Sequence, residues 1–232
     1  MPYAKVNNLN FYYEIHGEGL PVVVINGLGM DLSECTLVTA ELAKTYKVLT
    51  FDNRGAGRSD KPNEPYTIEQ MAQDTAGVMR SAGFQKGSVI GISMGGRIAM
   101  DLALTHPKMV ASLVLTSTST RAVNTNKLRR LFNFYVIPRL PIFKGKYPQP
   151  YYAFARQRSA SASYDCSDRL KQIHMPVLIA HGRSDKTVPL ERAEQMHKIL
   201  NESQLQVFKG GHMFFLLWDR LSYLNAVNKF LS

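Results

Sequence analysis

The sequence predicts an α/β fold, a mostly parallel central sheet with helices on both faces. Three observations predict it. Short runs that are apolar on both faces recur along the chain, as buried parallel strands require. Stretches with helical spacing alternate with them. The 232 residues are 45% hydrophobic and 20% charged, which suits one compact domain with a full core. Such a composition argues against a mainly disordered chain, a collagen-like repeat or a long coiled coil.

The elements follow in order. Val6-Asn7-Asn8-Leu9 reads as a turn between two short strands, and Phe11, Tyr13 and Ile15 then alternate with polar residues as a half-buried strand does. Pro21 to Ile25 is a β-branched run that enters a tight loop at Gly27 and Gly29. A helix is expected over roughly Leu32 to Tyr46, then a strand over Lys47 to Phe51. Thr67-Ile68-Glu69-Gln70 resembles a capping box, followed by helical spacing through Met71, Thr75, Val78, Met79 and Ala82 to a stop at Gly83. Further strands are expected over Ser88 to Ile92, Val110 to Leu115, Val177 to Ala180 and Gln204 to Phe208. Helices are expected over Met94 to Thr105, over Pro189 to Leu200 and from about Phe214 to the C-terminus.

Charge is the unusual quantity. Lys and Arg number 28 against 18 Asp and Glu, a formal +10, which suggests an anionic partner such as nucleic acid, a membrane surface or an acidic substrate. The excess is concentrated. Between Arg121 and Lys171 lie eleven basic and two acidic residues, +9 in one segment that also holds nine of the aromatic residues. The rest of the chain carries +1. Two cysteines, Cys35 and Cys166, are too few for a disulfide framework or a tetrathiolate zinc site. No His/Cys/carboxylate cluster has metal-ligand spacing, so no metal and no cofactor is expected. Residues 1–17 alternate polar and apolar side chains without a leader-like run, and the expected compartment is the cytoplasm.

In open α/β sheets, ligands bind beyond the carboxyl ends of the strands. Gly91-Ile92-Ser93-Met94-Gly95 is a G-x-S-x-G at one such end, between strand and helix. Glycines on both flanks allow a sharp turn that projects a strained serine. Serine is a weak nucleophile unless a base takes its proton. Two later strands end in His181-Gly182-Arg183-Ser184-Asp185 and Lys209-Gly210-Gly211-His212, which supply a carboxylate and an imidazole in the order Ser93, Asp185, His212.

With these motifs the chain resembles the α/β-hydrolase superfamily, over nearly its whole length outside the basic segment. Asp52-Asn53-Arg54-Gly55-Ala56-Gly57-Arg58-Ser59-Asp60 also resembles that family's D-x-R-G-x-G-x-S-D loop. The resemblance implies an α/β-hydrolase fold with Ser93 as nucleophile, His212 as general base and acid, and Asp185 orienting the imidazole. It also implies an oxyanion hole made by the backbone N–H groups of Leu28 and Met94. The family usually has His-Gly in the early loop, where this chain has Asn26-Gly27. Asparagine also donates and accepts, so the hole is expected to survive.

The family commonly carries a cap after the strand equivalent to Val110–Leu115, where the basic segment begins. A core of residues 1–120 and 166–232 with a short cap of 121–165 is therefore expected. Leu128, Leu131, Phe132, Tyr135 and Val136 form one apolar helical face. Phe132, Tyr135, Tyr151 and Phe154 are candidates to line the substrate pocket.

The expected function is hydrolysis of small carboxylic esters or lactones, with anionic ones drawn by the cap charge. Nucleic-acid binding and stable membrane insertion are not expected, and the cap suits at most weak surface association. Two other readings stay open. Ser93-Met94-Gly95-Gly96-Arg97 resembles the elbow of the menaquinone-pathway synthase, a lyase that eliminates pyruvate; Arg97 and the cap arginines would then hold substrate carboxylates. The third is a non-catalytic ligand-binding homologue. The oligomeric state is left open.

Overall fold

A computed structural model describes residues 3–123 and 146–232. An eight-stranded sheet runs in the order β1 (Tyr3–Val6), β2 (Leu9–His16), β4 (Tyr46–Phe51), β3 (Leu20–Ile25), β5 (Gly87–Ile92), β6 (Val110–Thr116), β7 (Val177–Gly182), β8 (Ser203–Phe208). The strands from β4 to β8 pair in parallel, and β1 and β2 close one edge antiparallel. Asn7 and Asn8, at φ 50° and 62°, make the β1–β2 turn, the backbone a two-residue hairpin needs.

The helices are α1 (Thr36–Leu42), α2 (Ile68–Ser81), α3 (Met94–Thr105), α4 (Tyr151–Ser163), α5 (Leu190–Ile199) and α6 (Arg220–Leu231). The period-2 alternation of the central strands separates two cores. β3 sends Val23 and Ile25 toward α2 and α3, and Val22 and Val24 toward α1 and α6. Leu113 and Leu115 of β6 likewise oppose Val114. Burial on both faces is why these strands read as unbroken apolar runs.

Three elements differ from expectation. The first predicted helix is a 3-10 turn, Leu32–Cys35, followed by the shorter α1. Asp31 caps the turn, accepting from Ser33 N–H while Glu34 accepts from Asp31 N–H. The C-terminal helix starts at Arg220 rather than near Phe214, because residues 211–219 coil into turns that bury Phe214 and Phe215. Helix α4 was not predicted. Its buried positions, Ala153, Gln157, Ala160 and Ser161, have helical spacing but are small or polar, so no apolar stripe marks them. The predicted helix through Leu128–Val136 lies outside the described residues. No helix among the described residues is long and apolar enough to cross a membrane.

Glu34 yields a pH prediction. Burial, together with the carboxylates of Asp31 and Asp52, pushes it from 4.5 up to about 7, against the opposing hydrogen bond from Asp31 N–H. The folded chain then binds more protons than the unfolded chain between those values, so stability falls as pH rises across that window. Glu34→Gln keeps an acceptor for Asp31 N–H and removes this contribution. Urea denaturation from pH 5 to 8 should show a flatter decline in the variant than in the wild type.

Candidate active site

Ser93 sits between β5 and α3 with φ 53° and ψ −112°, a left-handed backbone rare outside glycine. Such strain costs about 1–3 kcal/mol and persists only where neighbours over-determine it. Here Ser93 N–H donates to Thr116 O at 2.9 Å, and Ser93 O accepts from Thr118 Oγ1 at 2.7 Å and Gly96 N–H at 3.0 Å. The flanking glycines are sterically required. A Cβ on Gly91 would stand 2.5 Å from Gly95 O, and one on Gly95 would stand 2.1 Å from Ile25 O.

Parallel neighbours bring the other two groups to the same sheet edge. Asp185 follows β7 and His212 follows β8. His212 Nδ1 lies 2.7 Å from Asp185 Oδ2, and His212 Nε2 lies 3.1 Å from Ser93 Oγ. With Nδ1–H donating to the carboxylate, Nε2 presents its lone pair to the serine hydroxyl. Asp185 Oδ1 also accepts Thr187 N–H and Val188 N–H at 2.8 and 2.9 Å. Burial pushes the Asp185 carboxyl up, but the His212 hydrogen bond and charge and these backbone donors together hold it below the usual carboxylate range. The backbone behind His212 is held too, by Ser117 Oγ donating to His212 O at 2.8 Å.

His181 is a fully buried second imidazole against the same acid. Its Nε2–H donates to Val188 O at 2.8 Å and stands 3.5 Å from Asp185 Oδ2. Burial is the main reason its pKa is lowered, so it packs the acid loop as a neutral ring. The sequence contained this residue inside the acid motif, but no spacing rule marked it.

The loop after β3 lies against the elbow. A Cβ on Gly27 would lie 3.5 Å from Ser93 Cβ, which places the Gly27–Leu28 backbone beside the serine. Met94 opens α3, so its N–H has no acceptor within the helix. The Asn26 side chain does not support the loop as expected. It is fully buried, and among the described residues neither its amide nitrogen nor its side-chain oxygen has a partner; its backbone carbonyl accepts from Asn53 Nδ2 at 3.1 Å.

Gln157 supplies the support from across the molecule. It is fully buried in α4. Its Oε1 accepts Gly29 N–H at 3.0 Å, and its Nε2 donates to Arg54 O at 2.7 Å. Phe154, one turn earlier, lies over Gly29, with ring carbons 3.0 Å from where a Cβ would stand. Gln157→Leu removes both bonds and leaves buried backbone groups unpaired. The expected result is a kcat lower by about 10-fold or more with little change in KM, because the loop carries a candidate oxyanion donor. Steady-state kinetics on the best ester substrate check it, with circular dichroism confirming the fold.

Arg97 requires a correction. All five of its N–H groups are committed: Nε to Ser119 O, Nη1 to Ser161 O and Oγ, and Nη2 to Ser119 Oγ and Arg121 O, at 2.6–3.1 Å. It is 8% exposed and ties α3 to α4, so no donor is left for a substrate carboxylate. Tyr151 is exposed at the start of α4, while Phe132 and Tyr135 lie outside the described residues. Among the described residues no group of three or more His, Cys, Asp or Glu side chains is placed to hold a metal. Burial pushes Cys35 up to about 12 and Cys166 up to about 11, the behaviour of packed thiols.

Comparison with known proteins adds the following. A family model described as "alpha/beta hydrolase fold" matches residues 21–163. The enol-lactonase from Burkholderia xenovorans LB400 superposes with a TM-score of 0.89 at 25% identity, covering 99% of both chains. An esterase from Exiguobacterium antarcticum shares the fold with a TM-score of 0.87 at 23% identity, covering 99% of this chain and 98% of its own. The Azorhizobium caulinodans protein named "Putative carbamate hydrolase RutD" is 28% identical over 248 residues, 92% of each chain.

Proposed function

Because this chain belongs to the alpha/beta hydrolase family, we propose that it is a serine hydrolase of small carboxylic esters or lactones. The observation that carries this reading is the unbroken series from Ser93 Oγ through the His212 ring to the buried Asp185 carboxylate. His212 Nε2 takes the hydroxyl proton as Ser93 Oγ bonds to the acyl carbon. Asp185 stabilises the imidazolium, and the N–H groups of Leu28 and Met94 receive the developing oxyanion. The imidazolium then gives its proton to the leaving alkoxide, which leaves an acyl-enzyme on Ser93. Water, activated by the same imidazole, completes hydrolysis. No cofactor is needed.

Residues 121–165 act as a short cap on a core of 1–120 and 166–232, with Phe154 beside the acyl site. The lyase reading loses Arg97, which is fully engaged within the fold, while the cap arginines Arg129, Arg130 and Arg139 lie outside the described residues. The test is labelling with a serine-directed fluorophosphonate, followed by a panel of short aryl esters, lactones and aryl carbamates at low and high salt. Labelling at Ser93, turnover of esters or lactones, and a salt-sensitive preference for anionic members are expected. Labelling without turnover of any member would favour a ligand-binding role, and no labelling at Ser93 would overturn the reading.

A further inference from the structure

We propose that Leu217, Trp218 and Leu221, in the segment that follows His212, form a docking surface for an anionic lipid bilayer. These three side chains are 67%, 65% and 72% exposed, although they are among the most apolar in the chain. They are contiguous. Trp218 closes the run of turns after His212, and Leu221 lies in the first turn of α6. The turns are pinned by Trp218 N–H donating to Phe214 O, above the buried Phe214–Phe215 pair. Trp218 packs its base on Gly210, where a Cβ would stand 3.2 Å from both Trp218 Cβ and Cε3. The indole is thus held in place with much of its surface outward.

The rim of this patch is cationic. The backbone of Arg183 donates to Phe208 O, that of Ser184 to Gly210 O, and that of Lys209 to Asp219 Oδ2, which gathers Arg183 and Lys209 around the Trp218 loop. Both residues are exposed, and the half-buried Arg220 follows Asp219 at the start of α6. Asp219, the acid within the loop, accepts from Lys209 N–H at 2.9 Å and also meets the Ser222 side chain and the Lys209 charge, which offsets it. Apolar side chains ringed by cations match an anionic bilayer surface: the indole sits at the headgroup boundary and the leucines reach the acyl chains. Three side chains fall well short of the ~800 Å² per partner of a stable protein interface, whereas a bilayer needs only a wedge.

Docking does not depend on the hydrolase reading. Trp218 lies against Gly210, two residues before His212, so docking would bring lipophilic substrates toward Ser93 if that reading holds. Trp218 is the chain's one tryptophan, so its emission reports on this patch alone. The experiment titrates the full chain with vesicles of equal phosphatidylglycerol and phosphatidylcholine, and with pure phosphatidylcholine vesicles, reading emission and co-sedimentation. A blue shift and sedimentation with the anionic vesicles only, reversed by salt, are expected. The double variant Leu217→Ser/Leu221→Ser should weaken vesicle affinity by about 10-fold or more while fluorophosphonate labelling at Ser93 is unchanged. Four results would each overturn the proposal. They are no shift with anionic vesicles, equal binding by the double variant, emission already blue in buffer, and a shift that grows with protein concentration without lipid, which would identify a second copy as the occupant.

Discussion

Ser93→Ala is expected to lower kcat on the best ester by on the order of 10⁴–10⁶. In the proposed mechanism the serine is the one group that bonds to the acyl carbon, and His212 Nε2 stands 3.1 Å from its hydroxyl. Because the serine, base and acid act as one unit, His212→Ala should cost a similar factor. The double variant should lose little more than either single change. Asp185→Asn removes the acceptor that fixes Nδ1–H at 2.7 Å, so the ring can adopt the wrong tautomer, with a loss of about 10⁴. Residual turnover above water would come from the Leu28 and Met94 donors. A Ser93→Ala enzyme that keeps the wild-type rate on purified protein would remove the proposed chemistry.

The largest stability effect is expected at Asp74→Ala, about 3–5 kcal/mol. Asp74 is 1% exposed and receives Arg54 Nε at 2.5 Å, Arg54 Nη2 at 2.9 Å and Asn7 Nδ2 at 3.0 Å. Removing it leaves a guanidinium 4% exposed, whose other contacts among the described residues are Gln70 Oε1 at 3.5 Å, Glu64 at 3.9 Å and the Tyr66 ring at 5.6 Å. The cost is that of an uncompensated buried charge rather than the worth of the pair. The double variant Arg54→Met/Asp74→Leu should therefore recover much of the loss. Urea midpoints of the three proteins measure this, and a double variant no better than Asp74→Ala would contradict it. Arg54 O also accepts from Gln157 Nε2, so Asp74→Ala should disturb the oxyanion loop as well.

The sheet and the serine turn were legible in the sequence for local reasons. Val22 to Ile25 and Leu113 to Leu115 are apolar on both faces because helices cover both faces. The Gly91 and Gly95 positions were legible because no side chain fits there. Helix α4 and the late start of α6 were not. In α4 the buried face is made of Ala153, Gln157, Ala160 and Ser161, which no hydropathy period detects. After His212, burial of Phe214 and Phe215 in turns overrides an apolar run that reads as helix.

Polar roles divide along the same line. Residue types and chain order were enough to select Ser93, Asp185 and His212 as candidates, since G-x-S-x-G and the two later strand ends are short-range patterns. Only the tertiary structure decided which polar groups are spoken for. Gln157 meets Gly29 from 128 positions away, and Arg97 meets Ser161 from 64. Asn26 is buried with no side-chain partner among the described residues, although its sequence position resembles a supporting one. A local pattern states what a residue is able to donate or accept. Where the donors and acceptors go depends on which distant segments the packed core brings within 3 Å, and that is a property of the whole fold.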